Sequence, residues 1–340
     1  MLIRVGIVTA PRIEYELREH TFLLKNVRIG IGFHWDRYED QEFAGELEIR
    51  NNADGTQTAI NTLDLEDYLC SVISSEMNAN SPMELLKAHA VISRSWAMRA
   101  IEKPNHEGFD VCGDDHCQRY EGLRRMNERA VQAVRETVGM VLLYGDEVCD
   151  CRYYKCCGGR TEIWSTCWED IDVPYIQSVA CDYCDLTSHS AAVSRLTSIL
   201  NDYDQETKDF RDWQVTYTQE ELSEIIRTKS GIDFGEIIDL IPLHRGASGR
   251  IDSLKIVGTK HTEVIGKELK IRYWLSKSCL YSSWFEVSHE NGVWTLFGHG
   301  WGHGAGLCQI GAAVMASEGH KYEEILSYYY VGSRLSTPAI

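Results

Sequence analysis

Hydrophobic and polar residues alternate in three short runs before residue 51: IRVGIV at 3–8, FLLKNVRIGIGF at 22–33 and AGELEIR at 44–50. A period of two predicts half-buried strands, and Asn52-Ala53-Asp54-Gly55 reads as a turn after the third. The period then lengthens. Asp64 is placed to cap a helix LEDYLCSVI that ends just before Ser74. Ser81-Pro82-Met83-Glu84 predicts a second helix start: a hydroxyl at the cap, a proline where no N–H is needed, and a glutamate three residues on to close a capping box. This helix should reach about Lys103, where Pro104 halts it. Small side chains at 88, 90, 93, 95, 97 and 100 mark it as a core helix.

Further along, the pattern predicts a helix from Asn127 to Val138 and a hairpin over 140–154 around Gly145-Asp146. A polar stretch from 186 to 235 contains a helix from Gln219 to Lys229 behind a Thr218 cap. Strands and turns then alternate over 236–297, with a short helix from Gly266 to Leu275. The fold class is therefore α+β, mostly antiparallel sheet with a central helical pair and two lobes around a groove. The expected division is an N-terminal β-rich segment at 1–60 and a main domain at 61–340, with an inserted lobe at about 186–290.

At 340 residues and 44% hydrophobic, the chain can bury a large core. Its net charge of −17, spread without long runs, argues against nucleic acid or an anionic membrane as partner. The opening residues carry Arg4, Arg12 and Glu14 and no continuous apolar run, so neither a secretory leader nor a membrane span is expected from them. Twelve cysteines point instead to metal binding, to disulfides, or to both.

Glu76 stands alone between the two helices, near the carbonyl end of the first. Helix-end carbonyls and burial both disfavour a carboxylate, so this position suits a general acid that keeps its proton near neutral pH. Arg94, on the core helix, needs a partner or a ligand. In the loop 105–123, His106, Cys112, His116 and Cys117 supply two imidazoles and two thiols within twelve residues. That is the donor composition of a closed tetrahedral zinc site, and a Cys112–Cys117 disulfide is the alternative. Gln118, Tyr120 and Gly122 follow at alternating positions, as on a short strand facing a cleft.

Vicinal Cys156 and Cys157 call for distant partners such as Cys167. Cys181-x-x-Cys184 is half a metal site or a redox pair, and a structural role is favoured. In GHGWGHGAGLCQIGAAVMASEG at 298–319, His299 and His303 are four apart, but the glycines between and around them exclude a helix. Such a backbone approaches something closely, either packed protein or a flat ligand such as a sugar ring, and Gln309 begins the helix that runs on through Met315.

Taken together, SSEMNANSPMELLKAHAVISRSWA, DDHCQRYEG, AVRETVGMVL, CCGGRTEIW, RGASGRI and GHGWGHGAGLCQIGAAVMASEGHKYEEILSYYYVGSRL resemble, in order and over most of 60–335, the SpoIID family: stage II sporulation protein D and its relatives, the amidase enhancer among them. The resemblance implies a peptidoglycan lytic transglycosylase that cleaves the β-1,4 bond between N-acetylmuramic acid and N-acetylglucosamine and leaves 1,6-anhydro ends. Glu76 would be its catalytic acid and base. It also implies a structural zinc at His106, Cys112, His116 and Cys117, and a location in the cell envelope. Arg94, Gln118, Tyr120, His299, His303 and Gln309 are expected to line the groove and bind substrate. The chain departs from the family at Cys156 and Cys157, where small hydroxyl residues are usual, and in lacking a visible export signal. Two other readings are a non-catalytic wall-binding partner of a cell-wall amidase and a zinc-dependent hydrolase.

Overall fold

The computed structural model describes residues 1–31, 36–77, 80–114, 116–184 and 211–337. The end of the run FLLKNVRIGIGF, the corner residues 78 and 79, and the start of the polar stretch from 186 lie outside the described residues. The architecture is α+β with mostly antiparallel sheets. Two compact units emerge: residues 1–151 with 321–323 and 333–340, and residues 152–320 with 324–332.

The first unit begins with β1 (Leu2–Ala10), β2 (Tyr15–Leu17), β3 (Thr21–Ile29), β4 (Arg37–Ala44), β5 (Glu46–Asn51) and β6 (Gln57–Asp64). The last of these runs across residue 60 without a break. Strands β2, β3 and β4 form one antiparallel sheet, and β5, β6 and β1 lie side by side in another. The alternation seen in the sequence is borne out: Ile3 and Val5 flank the less buried Arg4, and Phe22 and Leu24 are buried while Leu23 and Lys25 are less so. β7 (Val111–Cys112) joins the second sheet parallel to β1, setting Cys112 opposite Gly6.

Helix α1 (Leu65–Glu76) starts as expected, with Asp64 accepting the Glu66 N–H at 2.9 Å. It does not stop before Ser74. Ser74 turns its hydroxyl back onto the Cys70 carbonyl at 2.6 Å and Ser75 is buried, so these polar residues continue the helix and Glu76 becomes its last residue. Helix α2 (Met83–Glu102) ends where the proline predicts, with Lys103 as its C-cap.

The start of α2 differs from the expected capping box. Pro82 is the N-cap with no side-chain cap bond, and the buried Ser81 hydroxyl has no hydrogen-bond partner among the described residues. Glu84 is engaged elsewhere: its carboxylate accepts the Tyr322 N–H at 3.0 Å and lies 3.6 Å from the Lys87 ammonium. Small residues do serve close packing. Ala88, Ala90, Ser93, Ser95 and Ala97 are all fully buried, and Ser95 accepts the Leu142 N–H at 2.9 Å. Helix α3 (Glu128–Glu136) and the strands β8 (Val141–Tyr144) and β9 (Glu147–Val148) follow, the latter turning at Gly145-Asp146.

The second unit contains β10 (Tyr153–Tyr154), α4 (Trp164–Cys167), β11 (Asp212–Thr218), α5 (Gln219–Ser230), β12 (Ile237–Arg245), β13 (Ile251–Gly258), β14 (Thr262–Ile265), α6 (Glu268–Trp274), β15 (Phe285–Glu290), β16 (Val293–His299), β17 (Leu307–Cys308) and α7 (Gln309–Ser317). Helix α5 has the Thr218–Glu221 capping box and ends on Gly231 in the left-handed region, where glycine carries no Cβ penalty. Sheets β12-β13-β14 and β11-β16-β15 contribute to one core with Trp213, Phe234, Leu254, Trp294 and Leu296.

His89 on α2 is fully buried, with the Ser93 hydroxyl 3.3 Å from Nδ1, and burial pushes its imidazole down to about 3. The unfolded chain therefore takes up this proton first as pH falls. The associated stability is complete above about pH 6.5 and is lost progressively towards pH 3. Urea unfolding should show His89 contributing about 1.4 kcal/mol of lost stability per pH unit below about pH 6. The His89→Gln variant should lose that part of the slope; an unchanged slope refutes the assignment.

Candidate functional site

Glu76 closes α1 half-buried, and its Oε1 accepts the backbone N–H of Arg119 at 3.0 Å. That amide is held in place because the side chains on either side of it are anchored in the interior. Gln118 accepts from the Tyr68 hydroxyl at 3.1 Å and donates to the Ser93 carbonyl at 3.4 Å. The Tyr120 hydroxyl donates to Asn61 at 2.7 Å, and its ring packs on Tyr68 and Phe43. Two residues further on, the Ser71 hydroxyl donates to the Gly122 carbonyl at 2.6 Å. Alternation at 118, 120 and 122 is thus real, but it points the side chains into the protein.

Burial raises the Tyr68 and Tyr120 phenols well above their ordinary range, so both remain protonated donors. Gln118 is 1% exposed and Tyr120 3%, a placement that differs from the cleft-facing one expected of them. Arg94 is equally enclosed. Its guanidinium grips Glu66 through two bonds of 2.8 and 2.7 Å and donates to the Met140 carbonyl at 3.0 Å. The partner that the sequence required is therefore a carboxylate of the same unit.

Immediately before Gln118, the loop gathers His106, Cys112, His116 and Cys117, whose ligand atoms all lie within 4.8 Å of one another. His106 Nε2 is 3.2 Å from the Cys117 sulfur, and His116 Nδ1 is 3.6 Å from Cys117 and 3.9 Å from Cys112. Both cysteines are free thiols, so the alternative disulfide is not formed. Hydrogen bonding with the Cys117 thiol pulls Cys112 down to about 4, against the opposing effect of burial. A ready thiolate and two imidazoles fit a divalent metal that takes nitrogen and sulfur ligands. Packing supports the loop from behind, because a Cβ at Gly6 would lie 2.6 Å from the Phe109 ring that stacks on His106.

The second unit carries the remaining expected residues. His299, at the end of β16, is partly exposed; its Nδ1 lies 2.5 Å from Asp212 and its ring lies against Trp284 at 5.0 Å. His303 donates from Nε2 to the Tyr153 carbonyl and accepts the Ala305 N–H at Nδ1, both at 3.1 Å. Burial, assisted by the Arg152, Arg272 and Arg250 guanidiniums, pushes this imidazole well below its usual range and keeps it neutral. Gln309 is buried as the first residue of α7.

The glycines explain the tight course of 298–306. A Cβ at Gly304 would stand 2.6 Å from the Arg250 guanidinium carbon, and one at Gly306 would stand 2.0 Å from the Arg152 carbonyl. Both glycines have positive φ. Their close approach is to the protein itself.

Sequence reasoning missed two features. Glu66, the partner of Arg94, lies 28 positions away on another helix, where spacing alone does not announce it. Cys181 and Cys184 find Cys157 and Cys308, separated by long stretches of chain, rather than a second C-x-x-C; all four are buried with their sulfurs within 4.8 Å of one another. Cys167 is not the partner of the vicinal pair, since its thiol donates to the His303 carbonyl at 3.2 Å.

Residues 53–144, which include α1, α2 and the ligand-rich loop, match the family model described as Stage II sporulation protein; residues 162–306, inside the second unit, match a domain of unknown function, DUF8618. An uncharacterized protein of Brachyspira hyodysenteriae is 33% identical over 279 residues, spanning 82% of this chain and 68% of that protein. Stage II sporulation protein D of Bacillus subtilis is 26% identical over 297 residues, spanning 82% and 76% respectively. The Amidase enhancer of Bacillus subtilis is 26% identical over 301 residues, spanning 79% of this chain and 40% of the enhancer.

Replacing Arg94 separates the two meanings of that residue. Arg94→Ala strands Glu66 and the Met140 carbonyl, and the expected cost is about 3 kcal/mol of stability. Chemical denaturation should show this loss. A variant of unchanged stability would instead make the guanidinium available to a ligand.

Proposed function

The chain belongs to the SpoIID family, and from that premise we propose that it is a lytic transglycosylase of peptidoglycan, acting in the cell envelope with Glu76 as its general acid and base. The observation that carries this reading is the Arg119 N–H on Glu76, which orients a half-buried carboxyl at the end of α1. Protonated Glu76 gives its proton to the glycosidic oxygen as the bond from muramic acid C1 to that oxygen breaks. The C6 hydroxyl of the same sugar then attacks C1 and passes its proton to the Glu76 carboxylate. A 1,6-anhydro ring forms, the carboxyl is restored, and no second carboxylate has to activate water.

In this reading, Arg94, Gln118 and Tyr120 are positioning residues. Gln118 and Tyr120 lock the segment that presents the Arg119 amide, and Arg94 fastens α1 to α2 through Glu66. His299 and the adjacent Trp284 offer a partly exposed pair of ring faces suited to a sugar, whereas His303 and Gln309 shape the glycine-rich turn. Zinc bound by His106, Cys112, His116 and Cys117 would cross-link the loop that leads into Gln118. With four protein ligands it leaves no open position for a water, so its contribution is structural. Similarity to the Amidase enhancer supports a cell-wall amidase as a partner.

Mass spectrometry of peptidoglycan digested by the purified protein tests the proposal. Fragments ending in 1,6-anhydro-muramic acid are expected, with Glu76→Gln slower by at least about 10²-fold. Free reducing ends would point to a hydrolase, and glycan left intact by the unaltered protein would leave the wall-binding reading. Zinc gives a separate expectation: a chelator should lower the melting temperature and the activity together. Lost activity at an unchanged melting temperature would make the metal catalytic.

A further inference from the structure

We infer that the second unit contains its own structural zinc site, a closed tetrathiolate formed by Cys157, Cys181, Cys184 and Cys308. This inference does not depend on glycan cleavage. The four side chains are at most 1% exposed, and their sulfurs all lie within 4.8 Å of one another. Tetrahedral zinc with bonds of about 2.3 Å sets its sulfurs about 3.8 Å apart, inside that spread. Cys157 and Cys184 are 3.2 Å apart, far beyond the roughly 2.05 Å of a disulfide, and all four are free thiols.

The surroundings are built for anionic sulfur. Cys308 Sγ accepts the N–H groups of Cys157 at 3.3 Å and Gly311 at 3.4 Å, and Cys157 Sγ accepts that of Gly159 at 3.4 Å. The Tyr329 hydroxyl lies 3.3 Å from Cys181 Sγ. Such donors orient and stabilise metal-bound thiolates. A zinc with four thiolates carries two net negative charges, and a fully buried cation stands beside it: the Arg250 guanidinium donates to the Cys157 carbonyl at 3.3 Å. Room for the cluster also depends on a glycine, since a Cβ at Gly311 would lie 2.8 Å from Cys181 Sγ and 2.3 Å from the Tyr329 oxygen.

The positions of the ligands explain what the metal would do. Cys157 follows β10, Cys181 precedes and Cys184 closes the single turn at Asp182–Cys184, and Cys308 ends β17 at the cap of α7. A common ion would fasten these stretches together and close a loop of about 150 residues, adding to the short β10–β17 pairing that already joins its ends. Sulfur donors favour zinc over magnesium or calcium, and four protein ligands make the site closed rather than catalytic.

Elemental analysis and native mass spectrometry of protein from zinc-supplemented cells test this directly. The Cys112→Ser/Cys117→Ser double variant, which removes the loop cluster of the first unit, should keep one equivalent of zinc. Cobalt loaded into it should show the thiolate charge-transfer and intense visible bands of a tetrahedral sulfur site. Should that variant fail to fold, X-ray absorption at the zinc edge of the unaltered protein decides the matter. Cys157→Ser/Cys308→Ser should in either case remove sulfur ligands from the average and lower the melting temperature. With both sites filled, sulfur ligands should outnumber nitrogen in the unaltered protein; equal numbers would mean that only the loop cluster binds. A double variant without metal, iron in place of zinc, or an intact mass showing disulfides among the four cysteines would each overturn the assignment.

Discussion

A single backbone hydrogen bond, from the Arg119 N–H to the Glu76 carboxylate, is the constraint on which the candidate site depends. A carboxyl at the end of a helix has several rotamers open to it, and proton transfer rewards only one orientation. The amide supplies that orientation because its own peptide cannot move freely. Gln118 and Tyr120, on either side, are committed to Tyr68, Ser93 and Asn61. Burial of these neighbours is thus the origin of the order at Glu76: α1 carries the carboxyl, while the packing of α2 and β6 fixes its bearing. The ligand cluster adds a second restraint on the same segment from the N-terminal side, since Cys117 is covalently next to Gln118.

A comparable logic runs through the second unit, with glycine and arginine in place of a carboxyl and an amide. At Gly302, Gly304 and Gly306 the turn passes so close to Tyr154, Arg250 and Arg152 respectively that a side chain is excluded at each of these positions. Arg250, fully buried, donates to the Gly302 and Cys157 carbonyls and to Ser248, whose hydroxyl in turn donates to the buried Glu162 at 2.6 Å. Glu162 also accepts the amides of Ala247 and Ser248, so a carboxylate and a guanidinium are linked through one shared serine rather than by direct contact. Charges buried this way are costly to strand, which favours a single arrangement of the loop.

Much of the fold was legible because its signals are local. Period-two alternation located β1 and β3, Asp64 and Pro104 bracketed the helical pair, and Thr218 with Glu221 located α5. Failures arose where a distant group outcompeted the local one. Glu84 takes a backbone N–H at Tyr322 rather than closing a capping box, and Ser74 bonds its own helix instead of ending it. At the candidate site, the residue types were readable but their directions were not. Gln118, Tyr120 and Arg94 are polar residues in a region where a ligand was expected, yet each is consumed by a partner brought in by tertiary folding. His303 shows the same thing in a turn whose glycines are compatible with either a ligand or the chain itself.

The cysteines show most plainly why composition stops short. Twelve thiols in one chain are equally consistent with disulfides and with metal, because the count says nothing about how many sulfurs meet at one point. Geometry separates the cases. A disulfide needs two sulfurs and excludes a third, whereas both clusters here bring four ligand atoms together. The clusters also differ in the way their positions demand. His106, Cys112, His116 and Cys117 are close in sequence and brace one loop beside Glu76, so their effect is local. Cys157, Cys181, Cys184 and Cys308 are drawn from the length of a unit, and an ion held there acts on the stability of the whole unit rather than on the orientation of one residue.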